Sequence, residues 1–108
     1  MRRGDVVTVA TSGDYGKPRP ALVIQSDYFV DHPSVAVLPI TSYIREAPLF
    51  RITVPADQEN GLRTDSQVMV DKAVTVAVDK LGSRVGHVDS AKMVEVDRAL
   101  AVFLGIAK

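Results

Sequence analysis

Leu49-Phe50-Arg51-Ile52-Thr53-Val54 alternates apolar and polar side chains. Phe50, Ile52 and Val54 fall on one face of an extended chain, and Arg51 and Thr53 on the other. That is the period of a half-buried β-strand. Moving toward the C-terminus, Pro55 to Arg63 is rich in turn formers and holds Asn60-Gly61. Gln67-Val68-Met69-Val70 and Val74-Thr75-Val76-Ala77 read as two short strands broken near Asp71-Lys72. Residues 79–82 suit a turn of 3₁₀ helix, and Arg84 to Val88 a last short strand. Moving toward the N-terminus, residues 41–48 form a polar loop. Residues 34–40 form a strand with Pro39 near its end, which places the proline at a bulge or an edge. Ser26-Asp27 can cap a helical turn that stops at His32-Pro33. Residues 20–25 are a buried apolar strand, 11–18 a loop, and Val6-Val7-Thr8-Val9-Ala10 a β-branched strand.

One strong helix closes the pattern. Asp89 or Ser90 serves as its N-cap. Met93, Val96, Leu100, Phe103 and Leu104 share one face at helical spacing, with Lys92, Glu95 and Arg98 opposite. Gly105 suits a left-handed stop. Met93 and Phe103 are therefore expected in the core. Five to seven short strands and one terminal helix imply a small, strongly bent antiparallel sheet, with barrel and sandwich not distinguished by the residues.

The chain has 108 residues, no cysteine and no tryptophan, and its formal net charge is zero. Residues 1–108 read as one small domain. Apolar residues make up 46% of it, which argues against disorder. Balanced, interspersed charge argues against a membrane surface and against long-range steering toward a polyanion, so any nucleic-acid site must be a local patch. The absence of cysteine excludes thiolate metal sites and disulfides. With no signal-like or membrane-spanning apolar run, the expected location is the cytoplasm. His32 and His87 stand far apart, the first in a turn and the second in a strand, and both read as structural.

Within Gly16-Lys17-Pro18-Arg19-Pro20-Ala21-Leu22-Val23-Ile24-Gln25, the two prolines stiffen Lys17 and Arg19 into extended geometry. Arg19 is thereby held at the mouth of a buried strand, and its planar fork of donors suits a phosphate. A strand-end surface charge is the plainer reading of the same residues.

Five stretches recur in an order that resembles the MazF/PemK family of toxin endoribonucleases from bacterial toxin–antitoxin pairs. They are Arg2-Arg3-Gly4-Asp5-Val6-Val7, Gly16 to Gln25, Leu38-Pro39-Ile40-Thr41-Ser42, Gly61-Leu62 with Asp65-Ser66, and Phe103-Leu104-Gly105. The resemblance covers nearly the whole chain. It implies an SH3-like, CcdB-like small β-barrel with short helices, a homodimer, and a cognate antitoxin of the MazE/PemI kind that lays an extended acidic C-terminal segment along the active groove.

It also implies a metal-independent cut of single-stranded RNA, in which the substrate's own 2′-hydroxyl attacks and leaves a 2′,3′-cyclic phosphate and a 5′-hydroxyl. Such chemistry needs a base, neutralisation of phosphoryl charge, and an in-line backbone. Arg19 matches the family's catalytic arginine. Thr41 and Ser42 match its hydroxyl pair, and Asp14 sits where many members have a glutamate. Asp71 aligns with an acidic position that some members pair with an arginine two residues earlier, where this chain has Met69. Asp14 and Asp71 both remain candidates for the base. Tyr15 can stack on a nucleobase, and Lys17 completes a substrate-binding set with Ser42. No metal ligand set or cofactor is expected. The alternatives are a CcdB-like gyrase-binding toxin, disfavoured because that family's binding end carries a tryptophan, and a toxin whose nuclease site has decayed.

Overall fold

The computed structural model describes residues 1–10 and 17–108. Among the described residues, seven strands and one α-helix follow in order. They are β1 (Asp5–Val9), β2 (Arg19–Val23), β3 (Ser34–Thr41), β4 (Arg51–Val54), β5 (Ser66–Met69), β6 (Val74–Ala77), β7 (Leu81–His87) and α1 (Ser90–Phe103). Single turns of 3₁₀ helix fall at Asp27–Phe29, Val70–Lys72 and Val78–Lys80. Ser26 caps the first turn, its hydroxyl accepting from Tyr28 N–H. The ladders are antiparallel and run β4-β5-β3-β2-β1-β7, with β6 paired to β3 off that path.

The sequence expectations for the strands are met to within a few residues, save that β7 begins at Leu81 rather than Arg84. The barrel expectation needs refinement, because the sheet is not closed: among the described residues β4 and β7 are not laddered together. The connection after β4 lies in that opening instead. His87 N–H donates to Glu59 O at 2.8 Å. At Gly86 an added Cβ would stand 2.2 Å from Glu59 O, and at Gly61 2.3 Å from Val85 O. The two glycines are what let backbone lie directly on backbone across the seam.

The apolar runs in β1 and β2 have a simple cause. The β1–β2–β3 layer is buried on both faces, so alternation disappears, as expected for a two-sided strand. Val6, Leu22 and Leu38 face one core with Ile52, Val54, Val68, Met93 and Val96. Val7, Val9, Ala21, Val23, Val35 and Val37 face a second, covered by Val76 and Leu81. Helix α1 closes the first core. The Asp89 carboxylate caps it by accepting from Lys92 N–H at 2.8 Å, and Gly105 follows at φ +77°. Met93 and Val96 are buried as expected, whereas Phe103 is 51% exposed, which corrects its placement in the core. The helix drifts off the sheet in its last turn, past Ala99 and Leu100.

Pro39 is at neither a bulge nor an outer edge. Its strand pairs with β2 along residues 37–39 on one side. On the other side β3 pairs with β6 at residues 34–37 and then with β5 at residues 40–41. Pro39 sits where the partner changes. Ile24 N–H donates to Ala36 O, so by alternation Ala21 and Pro39 are a non-hydrogen-bonded pair. The missing N–H therefore points at the gap between β6 and β5, where no ladder bond is lost. The same change of partner leaves Thr41 at a strand end.

Candidate active site

A cleft of about 1030 Å³ opens at this strand end. Lys17, Pro18 and Arg19 form one side, where β2 begins. Arg19 stands opposite Val9 in the ladder, so its backbone is fixed by pairing as well as by the flanking prolines. Thr41 and Ser42 form the floor at the end of β3, with Met69 of β5 beside them. Thr41 Oγ1 accepts from Tyr43 N–H at 3.1 Å, which orients the hydroxyl while leaving its proton to donate elsewhere. Gly61, Leu62, Arg63 and Thr64 form the far wall.

That wall is held by Asn60, which is 2% exposed. Its Oδ1 accepts from Asp57 N–H and Leu62 N–H at 3.1 and 3.0 Å, and its Nδ2 donates to Pro55 O at 2.8 Å. A buried amide that makes three such bonds converts a turn-rich connection into a fixed surface.

The structure thus brings Lys17, Arg19, Thr41 and Ser42 together. It adds Arg63, which the sequence reading passed over although it follows Gly61-Leu62 directly. Three cations and several hydroxyls gather here in a chain of zero net charge. Among the described residues no carboxylate lines the cleft. Such an array binds phosphoryl oxygens well, because guanidinium and ammonium donors make charge-assisted hydrogen bonds and Arg adds a bidentate fork.

Asp71 is placed elsewhere. It lies in the 3₁₀ turn after β5 and does not line the cleft. Its Oδ1 is 3.5 Å from Arg51 Nε and its Oδ2 3.8 Å from Lys72 Nζ. Arg51 is buried, with 6% of its side chain exposed, although the alternating pattern of β4 had put it on the polar face. The face was read correctly, since Arg51 and Thr53 do lie opposite Ile52 and Val54. Arg51 stands directly across from Met69, and Asp71 follows two residues later. Asp14 and Tyr15 lie outside the described residues. His32 is exposed and bonds only locally, around Ser34. His87 ends β7, with Nδ1 3.2 Å from an Arg84 nitrogen and Nε2 3.8 Å from Glu59.

Residues 2–104 match the family of PemK-like, MazF-like toxins of type II toxin–antitoxin systems. This chain belongs to that family. Among its relatives, a probable endoribonuclease MazF of Mycolicibacterium smegmatis is 50% identical over 108 residues, covering 99% of each chain. The endoribonuclease EndoA of Bacillus subtilis is 29% identical over 111 residues, covering 98% of this chain and 96% of its own. Among solved structures, a mycobacterial endoribonuclease in complex with its cognate antitoxin superposes with a TM-score of 0.81. It is 27% identical, and the match covers 100% of this chain and 98% of that one. Within this MazF-like fold the described cleft is formed by the starts and ends of strands, which are rigid supports for side chains that must be held in position.

Among the described residues no helix is long and apolar enough to cross a membrane.

Proposed function

We propose that this MazF-like toxin is an endoribonuclease that cuts single-stranded RNA in the cleft between Arg19 and the loop at Arg63. The observation that carries the reading is the meeting of Arg19, held stiffly at the start of β2, with Lys17, Arg63 and Thr41 in one cleft. The substrate supplies the nucleophile. Its 2′-oxygen attacks phosphorus, the bond from phosphorus to the 5′-oxygen breaks, and the products are a 2′,3′-cyclic phosphate and a 5′-hydroxyl. The protein has to take the 2′-proton, return one to the 5′-oxygen, and neutralise charge that builds on the phosphoryl oxygens.

Arg19 is assigned the last task. Its fork can hold both non-bridging oxygens. Thr41 donates a hydroxyl hydrogen bond to the same group. Lys17 and Ser42 bind the backbone, and Tyr15 stacks on a base. The base is assigned to Asp14, because Asp71 is outside the cleft and engaged with Arg51 and Lys72. The reaction is metal-independent on this scheme. The protein acts as a homodimer in the cytoplasm and is silenced by a cognate antitoxin whose acidic segment occupies the cationic cleft.

The test is single-turnover cleavage of an oligonucleotide with one ribonucleotide at the cut site, in EDTA. Cleavage should persist in the chelator. Arg19→Ala should lose about 10²–10³ in rate, the usual cost of one electrostatic donor, with an unchanged circular dichroism spectrum. Arg19→Lys should recover little, because it restores charge without the fork. A folded Arg19→Ala within about threefold of wild type, against the loss expected of such a donor, would make Arg19 a strand-end charge. No cleavage by the wild type on any RNA would mark a decayed nuclease.

A further inference from the structure

A second cleft, of about 470 Å³, lies on the outer face of β4 and β5. It is next to the first on the same sheet face. Thr41 pairs with Gln67, and Gln67 with Thr53, so one row of side chains leads from the first cleft into the second. At about 4.8 Å per strand, the row spans roughly 10 Å. The next row places Met69, which lines the first cleft, opposite Arg51, which lines the second.

This second cleft is built before any ligand arrives. Gln67, 3% exposed, accepts from Arg45 N–H at 3.0 Å and donates to Arg45 O at 2.8 Å. It also donates to Thr53 Oγ1 at 3.2 Å. One side chain thus fixes both backbone groups of Arg45 and sets that residue's position at the rim. Opposite lies Arg51, whose charge is more than nine-tenths buried. Its ion pair with Asp71 is unfinished: Arg51 Nε and Asp71 Oδ1 are buried, 3.5 Å apart, and neither has a hydrogen-bond partner. The Arg51 side chain donates no hydrogen bond among the described residues, although its backbone N–H donates to Ala47 O at 2.8 Å. Its Nε is buried without a partner, while the terminal nitrogens are not among the buried unpartnered atoms and are thus open to the cleft, where a bound anion can accept from them. Glu46, also at the rim, is exposed and therefore well solvated.

We propose that this cleft is a flanking-phosphate subsite: Arg51 and Arg45 hold a phosphodiester of the RNA strand next to the one cut beside Arg19. The assignment rests on the endoribonuclease reading. A phosphodiester is favoured over another anion because the row Thr41–Gln67–Thr53 makes the second cleft a continuation of the first. A strand bound in one must run over or away from the other.

Two oligonucleotides with a 2′-deoxy cut site separate the possibilities, one just spanning the first cleft and one extended at both ends. Binding is measured against salt. Arg45→Ala, a change at an exposed residue, should weaken the extended oligonucleotide about tenfold, as expected of one charge-assisted contact. It should also lower the salt slope by about 0.7, the value for one phosphate on a single strand. The short oligonucleotide should be unaffected. Arg51→Met with Asp71→Asn, which removes the pair without leaving one charge buried, should do the same. Equal losses on both lengths, or no change in slope, would reduce Arg51 and Arg45 to structural residues. Weakened binding of a glutamate-rich peptide with RNA binding intact would assign the cleft to the antitoxin and overturn the proposal. If wild type binds neither oligonucleotide, the endoribonuclease reading itself has failed.

Discussion

Replacing Asn60 with alanine should loosen the wall of the cleft and destabilise the fold by an amount that can be worked out in advance. The side chain makes three hydrogen bonds to the backbone, to Asp57 N–H, Leu62 N–H and Pro55 O. Each such bond contributes about 1 kcal/mol net, and a donor left buried costs more. Asp57 is exposed and Leu62 partly so, which allows water to replace two of the three partners at some cost. The sum is about 2–3 kcal/mol, a large part of the 5–15 kcal/mol typical of a small domain. For a chain of 108 residues, about 4 °C of Tm is expected per kcal/mol, so the midpoint should fall by about 8–12 °C. The protein remains folded at room temperature, so function can be read there. Gly61 to Thr64 then lose their anchor, and RNA affinity should fall although Asn60 itself does not line the cleft. The assay is thermal melting by circular dichroism, paired with binding of a non-cleavable oligonucleotide. A Tm within about 2 °C of wild type, below about 0.5 kcal/mol by the same conversion, would refute the claim that Asn60 holds this wall. A large Tm loss with unchanged RNA affinity would refute the claim that the wall contacts substrate.

Gly86→Ala drives a methyl group against Glu59 O and the Asn60 backbone, at 2.2 and 2.5 Å. It should cost at least the ~1–3 kcal/mol of an overpacked site, read as a lower urea midpoint with an unchanged m-value. Asp89→Ala removes the cap of α1 and should cost about 1 kcal/mol in the same denaturation experiment. Thr41→Ala should lower single-turnover cleavage by less than Arg19→Ala does, since a neutral hydroxyl contributes less than a charged fork. A larger loss than at Arg19 would move the principal role to Thr41.

Local rules carried the sequence reading a long way. The β-branched runs at 6–10 and 20–25, the alternation at 49–54, the Ser26 and Asp89 caps and the stop at Gly105 are written in neighbouring residues. They reappear nearly where expected. What the sequence hid depends on which strands meet. Arg51 looks like any solvent-facing residue of a half-buried strand until the register sets it against Met69, with Asp71 beyond. Pro39 looks like an edge signal until β3 is seen to change partners there. Phe103 keeps helical spacing with Met93, yet spacing does not say where the sheet beneath a helix ends. The opening between β4 and β7 was invisible for the same reason: only the fold shows that Gly61 lies on Val85 and Gly86 on Glu59 and Asn60. Arg19, Thr41 and Ser42 were legible as a group because the family resemblance aligned them, and Lys17 because the prolines stiffen it beside Arg19. Arg63 needed the loop anchored by Asn60 to bring it round.

The ladder between β1 and β7 has a further consequence, for the order of folding. Asp5 pairs with His87 and Val9 with Leu81, so this join links elements separated by nearly every other strand. Closing so long a loop is entropically unfavourable until the intervening sheet has formed. Topologies dominated by such distant pairings fold in milliseconds to seconds, not microseconds. Thr8 of β1 and Val85 of β7 both line the large cleft. A chain still emerging from the ribosome has neither that border nor the seam glycines in place until β7 has been made. An endoribonuclease built in this way is assembled late relative to its own synthesis, and stopped-flow refolding should show tight RNA binding returning only with the slowest phase.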